Sequence, residues 1–322
     1  YFMPLIAWLL WALASRGLAG SYRPMNSIPQ TPQILCIGSV LWDVIGRTNI
    51  HMKLGADVPG RITRLPGGVA MNIAMTLIRF GMTPALLTAI GRDAPGQELL
   101  TEAKRMGMVT DHIYLSEDLP TDVYMAIEGA NGLIAAIADA HSLEQAGDKI
   151  LRPLAEGRIG TGPWTGPVAL DGNLTIQLLR EIAVSSLFAK ADLRVAPASP
   201  GKAERLLALL THPSATLYVN LEEAGLLCQQ VFADSATAAA GLIAHGAKRV
   251  LVTAGGDPAS DADETGVITL PCRPVMVTRI TGAGDTFMAA HIVAESKGAD
   301  RTTALARALD AAATYVSGET PK

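Results

Sequence analysis

Residues 279–293, Arg-Ile-Thr-Gly-Ala-Gly-Asp-Thr-Phe-Met-Ala-Ala-His-Ile-Val, constrain the fold more than any other stretch of the chain. An extended apolar stretch, Pro274 to Val277, runs into Thr281-Gly282-Ala283-Gly284, and a helical pattern of small and apolar residues follows. Strand, glycine turn and helix, in that order, present several backbone N–H groups at the positive end of a helix dipole. Gly282 and Gly284 allow positive φ and carry no Cβ, so an anion can come against the backbone. Asp285 falls in the turn or in the first helical turn. Two readings fit it. It caps the helix, or it takes a proton from a hydroxyl nucleophile, a role that would explain an acid beside a bound polyphosphate. Spacing alone does not separate them.

At 322 residues and 49% hydrophobic content, the chain can bury one large core. The net charge of −4 and the lack of a basic run argue against a nucleic-acid binder. Cys36, Cys228 and Cys272 are scattered, odd in number and without metal-ligand spacing. They read as small core residues in a reducing, cytoplasmic compartment. The apolar run Leu5 to Ala14 is too short to span a bilayer and has no basic region before it. Residues 1–30 therefore read as an N-terminal extension, without a membrane role, on a single domain over 31–322. No internal repeat or interdomain linker interrupts that domain.

Apolar runs that look like buried parallel strands alternate with amphipathic helical patterns along the rest of the chain. Ile34 to Ile37 ends at Gly38, and Asp43 follows where open α/β sheets bind ligands. Residues 44–66 are too broken for a core unit and suit short strands. Gly67-Gly68 opens a helix from Val69 to Phe80, with Asn72 among apolar neighbours, and Gly81 ends it. Pro84 to Ile90 is the next strand, and Asp93 reads as a turn or helix-start residue ahead of a helix over Gln97 to Met106. Val123 to Ile127 and Leu133 to Ala138 form a hairpin about Asn131-Gly132. Later strands are Val168 to Asp171, Leu193 to Pro197, Thr216 to Val219 and Arg249 to Thr253. Asn220 with Glu223 is a common helix-start pattern. Residues 257–264 read as an acidic surface loop, and Arg301 to Ser317 as an alanine-rich final helix.

The stretch TGAGDTF resembles the C-terminal signature of the ribokinase-like (PfkB) carbohydrate and nucleoside kinases, and the likeness runs from about residue 33 onward. It implies a three-layer α/β/α sandwich with a mainly parallel, Rossmann-like sheet and a small β-sheet lid from about 43–66 and 117–140. It implies an ATP-dependent transfer of the γ-phosphoryl group to a primary hydroxyl of a sugar or nucleoside. Asp285 would be the base, with the N–H groups of Gly282, Ala283 and Gly284 holding the developing charge. Asp43, Gly67, Gly68 and Asn72 would orient the sugar. Asn220 and Glu223 would hold Mg²⁺, mostly through waters. Thr253, Gly255 and Thr281, with Asn220, Gly282 and Gly284, would face the nucleotide.

The hairpin stretch from Thr121 to Asp139, with the D-x-N-L of 171–174, looks like pseudouridine kinases more than ribokinases or fructokinases. By that likeness Thr121, Tyr124 and Asp139 lie near the nucleoside, and pseudouridine would become its 5′-phosphate. Another sugar or nucleoside of the family, and a nucleoside sensor without catalysis, are the alternatives. Two positions depart from the family pattern. Arg279 stands where an acid is usual beside a monovalent-cation site, which implies activity without K⁺. Ala196 stands where an aspartate is usual. That leaves Ser199 and Lys202 for phosphate or ribose contacts, although Lys202 reads first as a solvated helix residue. Lids of this kind often form dimer interfaces, so a homodimer is allowed.

Overall fold

The computed structural model describes residues 31–319, so the expectations for the first 30 residues lie outside the described part. Fourteen strands are found among those residues: β1 (Ile34–Ile37), β2 (Leu41–Arg47), β3 (Arg61–Gly67), β4 (Pro84–Leu87), β5 (Ala89–Gly91), β6 (Tyr114–Ser116), β7 (Val123–Gly129) and β8 (Gly132–Asp139), followed by β9 (Pro167–Asp171), β10 (Asp192–Ala196), β11 (Ala215–Asn220), β12 (Arg249–Ala254), β13 (Asp257–Asp263) and β14 (Gly266–Leu270). The helices are α1 (Val69–Arg79), α2 (Ala94–Met106), α3 (His141–Ala146), α4 (Arg152–Ala155), α5 (Ile176–Val184), α6 (Leu221–Cys228), α7 (Ser235–Ala244), α8 (Ala283–Ser296) and α9 (Arg301–Ser317). Eight strands form the main sheet in the order β14-β13-β12-β11-β10-β9-β1-β4. From β12 to β4 every pairing is parallel, while β13 and β14 are antiparallel at one edge.

β1 shows why the sheet is covered on both faces. Its four residues are all fully buried, as a parallel strand between two helical layers must be. Leu35 and Ile37 join one core with Leu178, Leu179 and Ile182 of α5 and Ala238 and Leu242 of α7. Ile34 and Cys36 point the other way, into a core with Met71 and Ile73 of α1, Met288 and Ile292 of α8, and Leu305 of α9. The period-two alternation of one strand thus serves two hydrophobic layers. The result is a three-layer α/β/α sandwich. Cys36, Cys228 and Cys272 are free thiols, and the first two are buried.

A second sheet, ordered β3-β2-β7-β8, takes its strands from the broken region and from the hairpin. Its pairings place Asp43 opposite Tyr124, and Val44 opposite Met125. One face therefore carries Asp43 and Tyr124. The other exposes Ile62, Met125, Ile127 and Ile137. No helix among the described residues is long and apolar enough to cross a membrane.

Two local expectations fail, each for a physical reason. Residues 257–263 form β13 and not a surface loop, because their acids meet arginines from elsewhere in the chain. Asp261, fully buried, pairs with Arg249 at 2.7 Å and with Arg301 at 3.0 Å. Arg249 and Arg194 both reach Glu295 of α8. Beside them Tyr218 Oη lies 2.8 Å from His291 Nδ1, and burial pushes the His291 pKa down to about 4. This polar network fastens α8 to the sheet. The second failure is the extended stretch before the glycine turn, which joins no sheet. Pro271 and Pro274 lack the N–H groups that a ladder needs. The chain hangs instead on α9, through the Thr278 N–H donating to the Val316 carbonyl at 2.8 Å.

Replacing Asp261 by Ala strips the shared partner from two arginines that are mostly buried. The expected loss is about 3 kcal/mol, read as a lower urea midpoint with an unchanged slope.

Candidate active site

The glycine turn places Asp285 in the first turn of α8, against α1. Gly282 occupies the N-cap position of α8 at φ +87°, and no side chain caps that helix. A Cβ at Gly282 would lie 2.6 Å from Tyr315 Oη, so both conformation and space require glycine. Asp285 does not cap. Its carboxylate instead accepts a hydrogen bond from Asn72 Nδ2 of α1 at 2.9 Å. Burial pushes the Asp285 pKa up to about 7, opposed by the Asn72 bond and reinforced by the charges of Asp171, Asp43 and Glu223. A carboxyl group so placed titrates near neutrality, as a general base working at that pH should.

The start of α1 is held by a second set of contacts. Val69 N–H donates to Ser39 Oγ at 2.9 Å, and Met71 N–H to the Ser39 carbonyl. Gly68, at φ +92°, lets the backbone approach this closely, since a Cβ there would sit 2.5 Å from the Ser39 oxygen. At Gly67 a Cβ would come within 2.1 Å of Asp43 Oδ2. The glycine pair therefore seats both α1 and the Asp43 carboxyl. Asp43 lies within β2, not in a loop after β1, and burial pushes its pKa up to about 6. Tyr124, its neighbour on β7, has its phenol pushed up by burial and then by the Asp43 charge.

Behind these residues Asp171, fully buried, accepts from Ser39 N–H at 2.7 Å, Ser39 Oγ at 2.6 Å and Asn173 N–H at 2.6 Å. Its pKa is raised by burial despite those bonds. Lys202 donates to Asn173 Oδ1, and burial lowers its pKa. It is thus not a solvated helix residue. Ser39 is the position that sequence reasoning missed. A serine just past a strand-ending glycine gave no signal beyond that of a turn.

On the other side, Asn220 at the end of β11 is in register with Thr253 of β12. Asn220 Oδ1 accepts from Glu223 N–H at 2.9 Å, and Glu223 Oε2 accepts from Asn220 N–H at 2.8 Å. This reciprocal capping box leaves Oε1 of a buried carboxylate without a donor among the described residues. Glu223's pKa is raised by burial. Gly255 makes an open turn at φ +65°. The Thr281 carbonyl accepts from Tyr315 Oη at 2.7 Å. Ala283 N–H donates to the Ile280 carbonyl at 3.0 Å, so among the described residues the open donors of the turn include those of Gly282, Gly284 and Asp285. No side-chain atom crowds Gly284. Arg279 stacks 3.9 Å over the Tyr315 ring and donates to the Tyr315 carbonyl at 2.7 Å.

Two expected residues turn elsewhere. Thr121 gives its hydroxyl and its N–H to Asp93, which also caps α2 through Gly96 N–H. Asp139 bonds His141 Nδ1 at 2.7 Å, an exposed pair. Its register partner Val123 lies one residue from Tyr124, so Asp139 points to the opposite face of the sheet from Tyr124 and Asp43.

The chain as a whole is similar to known proteins. The sequence pattern of the family described as pfkB family carbohydrate kinase matches residues 31–320. The chain is similar to a pseudouridine kinase of Escherichia coli (strain K12), 29% identical over 270 residues that cover 80% of this chain and 81% of the relative. A ribokinase of Bacillus subtilis (strain 168) is 27% identical, with 84% and 88% covered. Among solved structures, a carbohydrate kinase from Agrobacterium tumefaciens superposes with TM-score 0.73 at 25% identity, covering 88% of this chain and 90% of that one. A ribokinase of Arabidopsis thaliana complexed with ribose and ATP does so with TM-score 0.72 at 21% identity, covering 89% and 93%.

The raised Asp285 pKa carries a stability signature. Between pH 3.8 and about 7 the native protein keeps a proton that the unfolded chain has released, so stability from this group is lost as pH rises across that window. Asp285→Asn removes the effect. The variant should exceed wild type by roughly 1–3 kcal/mol at about pH 8, and the gain should vanish near pH 4. Urea unfolding at both values reads it. An equal difference at the two would mean that Asp285 is not held protonated by burial.

Proposed function

Because the chain belongs to the pfkB family of carbohydrate kinases, we propose that it phosphorylates a primary hydroxyl of a ribosyl nucleoside, with pseudouridine as the substrate and ATP as the donor. The family assignment makes it a phosphotransferase acting on a sugar or nucleoside hydroxyl. The observation that carries the mechanism is the Asp285 carboxylate, titrating near neutrality between Asn72 and an open glycine turn.

In this reading Asp285 removes the hydroxyl proton and the substrate oxygen attacks the γ-phosphorus. The bond from that phosphorus to the β–γ bridging oxygen breaks, and ADP leaves with the electron pair. N–H groups of Gly284 and Asp285 face the transferring oxygens, where fixed donors lower the barrier without reorganising. Asn72 holds the carboxylate's direction, and Asp43 accepts from hydroxyls of the sugar. Mg²⁺ suits the Glu223 Oε1 that the capping box leaves open, held through water, and would offset phosphate charge. Asn220 acts there by fixing Glu223. The second sheet, carrying Asp43 and Tyr124, closes over the sugar as a lid and excludes water. Similarity over most of the chain to a pseudouridine kinase supports the choice of nucleoside. The outward turn of Asp139 and the engagement of Thr121 by Asp93 leave Tyr124 as the hairpin's contact to the base.

Arg279 sits against the turn through Tyr315 and supplies a fixed positive charge. Activity then needs no K⁺.

One assay addresses all of this. ADP release with ATP·Mg²⁺ is measured across pseudouridine, uridine, adenosine, ribose and fructose. Pseudouridine should turn over best, at comparable rates in K⁺ and in tetramethylammonium. Asp285→Asn should lower the rate by about 10²–10⁴-fold. Best turnover of another compound would move the substrate, and strict K⁺ activation would remove the role given to Arg279. Binding without turnover of any compound would mark a sensor.

A further inference from the structure

The proposed chemistry uses none of the residues around a separate open cleft of about 260 Å³. One wall is the short parallel pair β5-β6 with its flanking residues, and the other is the segment from 149 to 158. Arg92, Lys149, Arg152 and Arg158 line it, with Glu156 the one carboxylate in the lining. The chain as a whole carries a net charge of −4, so this concentration of cations runs against its average.

Two of the cations have carboxylate partners, and both pairs are exposed: Arg158 with Glu156 at 2.9 Å, and Arg92 with Glu117 at 3.0 Å. Exposed pairs of this kind exchange readily for a better anion. Lys149 and Arg152 have no carboxylate partner among the described residues. The Lys149 ammonium lies 5.4 Å from the centre of the Tyr114 ring, a cation–π contact that holds its position on the cleft wall. His112 stands on the same wall.

These observations have one common answer. Like charges gathered at a concave surface focus a field that draws in an opposite charge, and arginine forks match phosphate oxygens in pairs. Ile113, Leu115 and Pro153 add a short apolar wall. The volume suits a small solute and not a whole nucleotide. We infer that this cleft is a second ligand site, which binds a small phosphorylated anion of the size of pyrophosphate or a short sugar phosphate. The inference does not depend on the reading of the Asp285 site.

Pyrophosphate titrated calorimetrically into the full chain at low ionic strength tests it. Wild type is compared with Lys149→Ala/Arg152→Ala and with Glu156→Gln. The double variant should bind at least tenfold more weakly. Glu156→Gln, which removes the competing carboxylate, should bind a few-fold more tightly. Thermal midpoints of all three proteins report on folding, and Glu156→Gln carries the test alone if the double variant does not fold. Affinities within twofold of wild type in both variants would overturn the site. So would weaker binding by Glu156→Gln in a folded protein. Binding confined to the glycine turn, with no change in either variant, is the same negative result.

Discussion

The hydrogen bond from Asn72 to Asp285 joins residues 213 positions apart and ties the two ends of the domain into one site. It can form only if α1 and α8 start at the same point of the site. α1 is seated by Ser39, which bonds the first turn of the helix and is itself held by the buried Asp171. α8 is seated at its far end, where Glu295 and His291 enter the polar network of Arg194, Arg249 and Tyr218. The geometry of the candidate site therefore rests on two polar anchors buried in the structure and not on apolar packing alone.

The candidate site holds a group of acids that burial disfavours in their charged form. Asp43, Asp171, Glu223 and Asp285 all have raised pKa values, with desolvation the first cause in each. Each adds to the cost of ionising Asp285. Such a cluster weakens the fold on its own, and it is the kind of local inconsistency that marks working sites. Hydroxyls and cations brought by ligands would relieve it. The glycines at 67, 68 and 282 have a matching steric role, since a Cβ at these positions would run into Asp43, Ser39 and Tyr315 respectively.

Much of this was legible in the chain. Unbroken apolar runs such as Ile34 to Ile37 announce buried parallel strands, and Asn131-Gly132 announces the hairpin, because local pattern and final structure agree there. The glycine turn pointed to a helix start and an acid, although spacing alone could not separate cap from base. What escaped was set by distant partners. The acids of 257–263 look like a solvated loop until Arg249 and Arg301 are placed beside Asp261. Lys202 looks solvated until Asn173 is brought to it. Thr121 looks like a binding residue until Asp93 takes its hydroxyl, and Tyr315 carries no local sign that it braces the turn. Pairing of this sort depends on tertiary placement, which periodicity does not encode.

The pH dependence of kcat/KM in wild type and in Asn72→Ala tests the central coupling most directly. As the proposed base, Asp285 must be ionised to accept a proton, so wild-type activity should fall on the acid side with an apparent pKa near 7. The Asn72 bond favours the ionised form, and its loss should move that limb to higher pH while the alkaline side stays in place. An acid limb that keeps its position in Asn72→Ala, in a protein that still turns over, would contradict the coupling of Asn72 to Asp285 as the proposed base.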